Sequence, residues 1–139
     1  ELLVMQGNGG TVSAGIVGTA ITKLCATEIA RTGLGEAEAE RAGFSVVAAR
    51  IETTTTSGYF PAAAPMTVKV VAERRTGRLL GAQIVGGDGA AKRIDTCAVA
   101  ITAGMTVAQV VDLDLAYAPP FSSVWDPIAV AAREALKLL

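Results

Sequence analysis

Two apolar runs with a two-residue alternation predict a β-hairpin in the middle of the chain. Residues 66–73 and 79–85 are rich in β-forming side chains and flank the string "RRTGR". Gly77 in that string suits the left-handed position of a short hairpin turn. Lys69 and Gln83 alternate with apolar neighbours, so one face of the hairpin is expected to be wetter than the other.

The segments before this hairpin carry shorter patterns. They predict a short β pair or an extended lead-in over 15–34, a short helix over 34–44, a strand over 45–54 and a loop over 53–65. Gly43 follows the acidic helix "EAEAERA" and is predicted to end it as a C′ residue, with Phe44 as the apolar residue after it.

After the hairpin, a period near 3.6 residues predicts helices. Residues 86–105 are expected to turn into a helix with Asp88 as its N-cap, and a short helical turn is expected over 107–111. The last helix should begin at Pro127, with Asp126 as N-cap. Its apolar stripe consists of Ile128, Ala131, Ala132, Ala135 and Leu139. We expect a second copy of the chain to cover this stripe, because a domain this small has little left to cover it.

Together these elements predict an α+β fold. The expected architecture is an antiparallel meander of three to four strands with the helices packed on one side. Residues 1–15 are interpreted as a leader or linker remnant, and residues 16–139 as one domain. The string "GNGG" (7–10) falls in the leader, where we expect flexible chain.

Composition excludes several function classes. The chain has 139 residues, is 51% hydrophobic and carries a formal net charge of -1 without blocks of like charge. This balance argues against nucleic acid and against an anionic membrane surface as partners. The longest weakly polar run is too short for a membrane span. Cytoplasmic localisation is therefore the expectation.

The residues that usually build metal and redox sites are scarce. The chain has no His and only two cysteines, Cys25 and Cys97, which form no C-x-x-C pair. No metal site is therefore predicted. Both cysteines are expected to be small buried hydrophobes, which agrees with a reducing compartment.

Two features invite a binding role. The string "GGDG" (86–89) follows a strand and opens a helix, so its amides could hold an anion, although a plain strand-to-helix turn is the favoured interpretation. Lys92 and Arg93 follow directly and are candidates for binding the phosphate of a large ligand. The alternative is a local surface pair between Asp88 and Lys92.

The two tyrosines are the candidate chemical groups. Tyr59 and Tyr117 each lie on a proline-containing loop, "SGYFPAAAP" and "AYAPPFSS". A phenol donates a hydrogen bond to an anion or a thiolate, and a rigid loop aims it. The alternative is that both rings fill the rim of a core or of an interface.

Several strings resemble one enzyme family over about residues 18–139. They are "GTAITK", "EIARTGL", "GYFPAAAPMTVKVV", "TGRLLGAQIVGGDGAAKRID", "AITAGMTV" and "LDLAYAPPFSSVWDP". The chain resembles the C-terminal dimerisation domain of the FAD-dependent pyridine nucleotide-disulfide oxidoreductases, in the branch of CoA-disulfide reductase, NADH oxidase and NADH peroxidase. The glutathione-reductase-like branch has a His-Pro motif before the last helix. Here that loop reads "YAPPFSS", which fits the branch with a single redox cysteine.

The resemblance implies a homodimer in which this domain completes the partner subunit's active site. Tyr117 and Tyr59 would act in that site, and Pro119, Pro120 and Phe121 would lie near the partner's flavin. A CoA-type molecule is the candidate substrate, and Lys92 and Arg93 remain the candidate substrate-binding residues from their position alone. FAD, NAD(P)H and the redox cysteine would belong to domains outside this chain, so the isolated domain is expected to bind no cofactor tightly and to be inactive alone.

The resemblance leaves the electron acceptor open among CoA disulfide, peroxide, oxygen and persulfide. A stand-alone dimerising interaction domain without catalytic activity is the alternative function.

Overall fold

The computed structural model describes residues 15–139, which contain five strands and four α-helices. The strands are β1 Ala20–Leu24, β2 Thr27–Gly33, β3 Val46–Thr54, β4 Pro65–Glu73 and β5 Leu79–Gly86. The helices are α1 Glu36–Arg41, α2 Ile94–Thr102, α3 Val107–Val111 and α4 Pro127–Leu136, with a 3-10 turn at Ala91–Arg93 before α2. Residues 1–14, most of the predicted leader, lie outside the described residues.

All five strands join one antiparallel sheet in the order β1-β2-β5-β4-β3. The predicted meander is present as β3-β4-β5, and β2 adds to it by pairing with β5, for example Ala30 with Ile84. The α+β class is confirmed. The sheet has five strands where three to four were expected, because the lead-in segment pairs with a strand 48 to 58 positions further along the chain.

The core lies between the sheet and the two long helices. Its largest fully buried side chains are aliphatic, and they come from both layers: Val68, Val70, Leu79, Ile84, Ile94, Val107, Val110 and Ile128. The short helix α1 is on the other face, where Ala39 packs with Val71 and Leu80. Three helices thus lie on the predicted side and α1 covers the opposite face.

Local turn and cap signals are confirmed where they depend on neighbours in sequence. Gly77 has a φ of 71° in the hairpin turn, a conformation that glycine adopts at little cost. Gly43 follows α1 as predicted, and its N–H donates to the Glu40 carbonyl at 2.9 Å. Asp126 caps α4 by accepting from the Ile128 N–H at 2.8 Å, with Pro127 in the first turn.

The expected N-cap at Asp88 is wrong. Helix α2 begins at Ile94, and Asp88 instead pairs with Lys23 across the sheet at 2.6 Å. The expected pair of Asp88 with Lys92 is also absent, since Lys92 Nζ lies 2.5 Å from Asp95. Both errors have one cause: a strand that is distant in sequence brings a cation to the turn.

Two expectations about burial need correction. Four of the five stripe residues, Ile128, Ala131, Ala132 and Ala135, are buried against the chain's own sheet and α3. The fifth, Leu139, lies beyond the end of α4 and is 44% exposed. This stripe is therefore no argument for a second copy. Cys97 is buried as expected, but Cys25 is exposed in the turn between β1 and β2, with a φ of 53°. None of the helices within residues 15–139 has the length and apolarity to cross a membrane.

Candidate functional site

Aromatic side chains are concentrated on two loops. The chain has three Phe, two Tyr and one Trp. All but Phe44 lie either between β3 and β4, in the Tyr59 loop (residues 55–64), or between α3 and α4, in the Tyr117 loop (residues 112–126). Large apolar rings placed on loops rather than in the core point to contacts outside the chain.

The two loops are bonded to each other and form one surface. The Ser57 N–H donates to the Pro119 carbonyl at 3.1 Å. The Ser57 hydroxyl donates to the Ser122 carbonyl at 3.1 Å. Both serines are buried. We call residues 55–64 and 112–126 together the two-loop surface, and these bonds hold its halves in register.

Arg93 anchors this surface to the body of the domain. Its Nη2 donates to the Thr55 carbonyl at 2.6 Å and to the Phe121 carbonyl at 2.5 Å, one on each loop. Its Nη1 donates to the Asp126 carboxylate at 2.8 Å, and the two side chains are each only 14% exposed. The same carboxylate caps α4, so the guanidinium joins both loops to a helix end.

The outer part of the surface is aromatic and open. Tyr59 is 77% exposed and Tyr117 is 47% exposed, and neither phenol oxygen makes a hydrogen bond within the part of the chain that the structure describes. Phe121, Val124 and Trp125 are exposed beside them, and the Arg133 guanidinium lies 4.8 Å from the centre of the Trp125 ring. The tyrosines do not fill the chain's own core, which leaves a role at an interface or in a site.

The two residues predicted to contact phosphate, Lys92 and Arg93, lie in different environments. Lys92 is exposed at the surface and pairs with Asp95. Arg93 points inward, and every hydrogen bond of its guanidinium goes to the chain's own groups. A role of either residue in binding phosphate stays a prediction.

The backbone N–H groups at the end of the "GGDG" turn and just after it already face an anion of the same chain. The Glu28 carboxylate accepts from the Ala91 N–H at 2.9 Å and from the Lys23 ammonium at 3.3 Å. The Ala91 N–H first, and then Lys23, hold the pKa of the Glu28 carboxyl below its ordinary value against the opposing effect of burial. The Glu28 carboxylate therefore already supplies the negative charge at this turn.

The buried cysteine is a poor candidate for redox chemistry. Burial, and then the negative charge of Asp126, raise the pKa of the Cys97 thiol to about 12. A thiol in this state supplies almost no thiolate at neutral pH. Among residues 15–139 no three Cys, Asp or Glu side chains come together in a way that could hold a metal ion.

A shallow cavity of about 500 Å³ lies elsewhere, on the outer face beside α1. Four of its five charged side chains are paired with each other: Arg31 with Glu38 at 2.8 Å and Lys69 with Glu36 at 2.5 Å, while Glu40 also lines it. Because most of these charges already have partners within the chain, the cavity has less to attract a ligand than the two-loop surface.

Sequence reasoning found both tyrosines but missed the residues that tie their loops together. Ser57 and Ser122 are 65 positions apart, and nothing in one sequence marks two loop serines as partners. Asp126 was recognised only as a helix cap. The position of Asp126 directly before a proline predicts that it caps a helix. Nothing in the sequence predicts its ion pair with Arg93.

Comparison with known proteins identifies the family of the chain. The family described as "Pyridine nucleotide-disulphide oxidoreductase, dimerisation domain" matches residues 19–128. An NAD(P)H coenzyme A polysulfide/persulfide reductase of Pyrococcus horikoshii is 46% identical over 119 residues, which are 86% of this chain and 26% of that protein. A coenzyme A disulfide reductase of Staphylococcus epidermidis is 29% identical over 131 residues, which are 94% of this chain and 30% of that protein.

The fold comparison agrees. The structure of an NAD-dependent persulfide reductase from A. fulgidus aligns with a TM-score of 0.89 and 37% identity, covering 94% of this chain and 24% of that one. The chain thus spans about a quarter of the length of these relatives.

Proposed function

Because the chain belongs to the dimerisation-domain family of the pyridine nucleotide-disulphide oxidoreductases, we propose that it assembles and completes the active site of an NAD(P)H-dependent flavoprotein reductase. The acceptor is a CoA disulfide or persulfide, with peroxide and oxygen as the alternatives in the same class. The redox cysteine belongs to a domain outside this chain.

The observation that carries the proposal is the two-loop surface. Its two phenols and its apolar rings point away from the core, while buried bonds from Ser57 and Arg93 fix the loops behind them. A rigid backbone under exposed side chains is what a site shared between subunits requires, because the side chains must stay oriented without support from their own core.

We assign the chemical role to the Tyr117 hydroxyl, acting in the site of the partner subunit. Placed beside a cysteine thiolate, a phenol donates a hydrogen bond that stabilises the charge. When a thiolate or peroxide oxygen leaves, the same group can supply its proton and recover it from solvent. Tyr59 lies on the bonded neighbouring loop and is proposed to assist in the same site.

The residues near Tyr117 fit a flat cofactor ring. Pro120 and Phe121 are exposed and apolar, Pro119 is half-buried, and the backbone is fixed by the Phe121 N–H donating to the Ala118 carbonyl at 2.8 Å. Bound FAD would transfer electrons from NAD(P)H to the cysteine. Pro119, Pro120 and Phe121 would exclude water from one side of the flavin ring. Lys92, exposed at the start of α2, is the proposed contact for a CoA phosphate.

The test is Tyr117→Phe in the complete enzyme. The ring still fills its place and only the hydroxyl is lost, so folding and dimerisation should be unchanged. We expect the half-reaction at the cysteine to slow roughly 10- to 10³-fold, the usual range for one positioned donor.

Stopped-flow measurement of the two half-reactions separates the steps. Flavin reduction by the nicotinamide serves as the internal control and should keep its rate. Wild-type rates in both half-reactions would show that Tyr117 is a packing residue.

A further inference from the structure

We propose that Arg93 is a positioning residue that fixes Tyr59 and Tyr117 as one unit. This inference rests on the proposed function of the two tyrosines. The sequence suggested Arg93 as a phosphate ligand. In this proposal its guanidinium instead binds groups of its own domain.

The geometry of the guanidinium supports this role. One nitrogen, Nη2, lies within 2.6 Å of Thr55 O and 2.5 Å of Phe121 O, which belong to different loops. The other, Nη1, holds the Asp126 carboxylate that begins α4. A planar fork fixes three acceptors in one arrangement, which a flexible point charge does not do.

The energetics point the same way. A largely buried ion pair adds little net stability, because desolvation of the charges offsets their attraction. Arg93 Nε is moreover the only buried side-chain nitrogen or oxygen in residues 15–139 that lacks a hydrogen-bond partner, which is a further cost. What the guanidinium contributes is therefore the relative position of the loops.

A consequence follows for the site. Tyr59 precedes β4 and Tyr117 follows α3. The Ser57 bonds join the two loops directly, and Arg93 adds the link from both loops to the body of the domain. With Arg93 in place, each loop carries one carbonyl bonded to the same nitrogen. A change at Arg93 should therefore disturb both loops, and should affect catalysis only through the tyrosines.

The first arm of the test measures coupling between the loops. Arg93→Met is prepared in the complete enzyme, with Arg50→Met as matched control, since Arg50 also pairs with a carboxylate at 2.8 Å but is exposed on β3. Hydrogen exchange followed by mass spectrometry should show both 55–64 and 112–126 exchanging at least about 10-fold faster in Arg93→Met and unchanged in the control. Unchanged exchange in either loop overturns the inference.

Arg93→Lys covers the case in which Arg93→Met does not fold. Lysine keeps the positive charge but lacks the planar guanidinium. The ion pair with Asp126 can therefore persist, while the bonds to the Thr55 and Phe121 carbonyls cannot both be kept. Faster exchange in both loops is again the expected result. Wild-type exchange in this variant, with Arg93→Met unfolded, would mean that Arg93 acts as a charge required for stability and not as a clamp.

The second arm measures catalysis as a double-mutant cycle. Arg93→Met alone should slow the half-reaction at the cysteine about 10- to 100-fold, as expected for a displaced catalytic group. Combined with the pair Tyr59→Phe and Tyr117→Phe, taken as one member of the cycle, it should add no more than about a twofold loss, because Arg93 acts through these two hydroxyls. Fully additive losses would overturn the positioning role.

The two arms separate failure of this inference from failure of the proposed function. If Tyr117→Phe leaves the rate unchanged, the proposed function fails. The exchange data then still decide whether Arg93 joins the loops.

Discussion

The core and the two-loop surface use different residues for different tasks. The largest fully buried side chains in residues 15–139 are aliphatic, led by Leu79, Ile84 and Ile94. The two-loop surface carries five aromatic residues, four of which are at least 47% exposed: Tyr59, Tyr117, Phe121 and Trp125. Stability is thus built from small branched side chains, and the exposed rings are the ones to which the proposed function gives contacts beyond the chain.

Polar groups follow the same division. At the "GGDG" turn the amides are met by the carboxylate of Glu28. On the two-loop surface the backbone carbonyls are met by Arg93 and Ser57, while the phenols are not bonded within residues 15–139. The exposed phenols therefore lie on loops whose backbone is held by bonds from Arg93 and Ser57, an arrangement for which the proposed shared site accounts.

The largest loss of stability is expected from a substitution in the core. Leu79→Ala removes a side chain that is 1% exposed and should lower the free energy of unfolding by about 2 to 5 kcal/mol. Denaturant unfolding of the 139-residue chain measures the change. A loss below about 1 kcal/mol would mean that the aliphatic core is not the main source of stability.

A smaller loss of stability is expected from a substitution of Glu28. Its pKa is lowered in the folded state, so its stabilisation is present above the carboxyl's unfolded pKa of about 4.3 and is lost as the pH falls through the folded value. Glu28→Gln should cost about 1 kcal/mol at pH 7. The difference from wild type should shrink as the pH falls below about 4.3 and should be lost once the pH has passed the lowered pKa of the folded state. Denaturation midpoints between pH 3 and pH 7 test this, and a pH-independent difference would show that the charge of Glu28 is irrelevant.

The smallest effect on stability is expected on the two-loop surface. Phe121 is 74% exposed, and Phe121→Ala keeps the carbonyl that accepts from Arg93. The free energy of unfolding should change by less than about 0.5 kcal/mol. The same unfolding assay applies. A loss as large as that of Leu79→Ala would erase the distinction between core and surface.

The parts of the fold that depend on neighbours in sequence could be predicted. Gly77 in its turn, and Asp126 with Pro127 at the start of α4, were correct because these conformations are set within four residues. The proline-rich loops and their tyrosines stood out because aromatic residues are rare in this chain.

The rest depends on contacts that are distant in sequence. The pairing of β2 with β5 joins residues 48 to 58 positions apart, and that of Lys23 with Asp88 joins residues 65 positions apart. Several partners would fit each of them. For the same reason Arg93 could be read as a phosphate ligand. Only the folded chain places Thr55, Phe121 and Asp126 around its guanidinium.

The central claim is that the two-loop surface completes the site of a partner subunit, and a mixed dimer tests it most directly. One subunit carries Tyr117→Phe, and the other keeps Tyr117 but has its redox cysteine replaced by serine. Two different affinity tags isolate the heterodimer from both homodimers. If Tyr117 acts in the partner's site, one complete site is restored, and the heterodimer should turn over at about half the wild-type rate. A heterodimer no faster than the Tyr117→Phe homodimer would contradict the account.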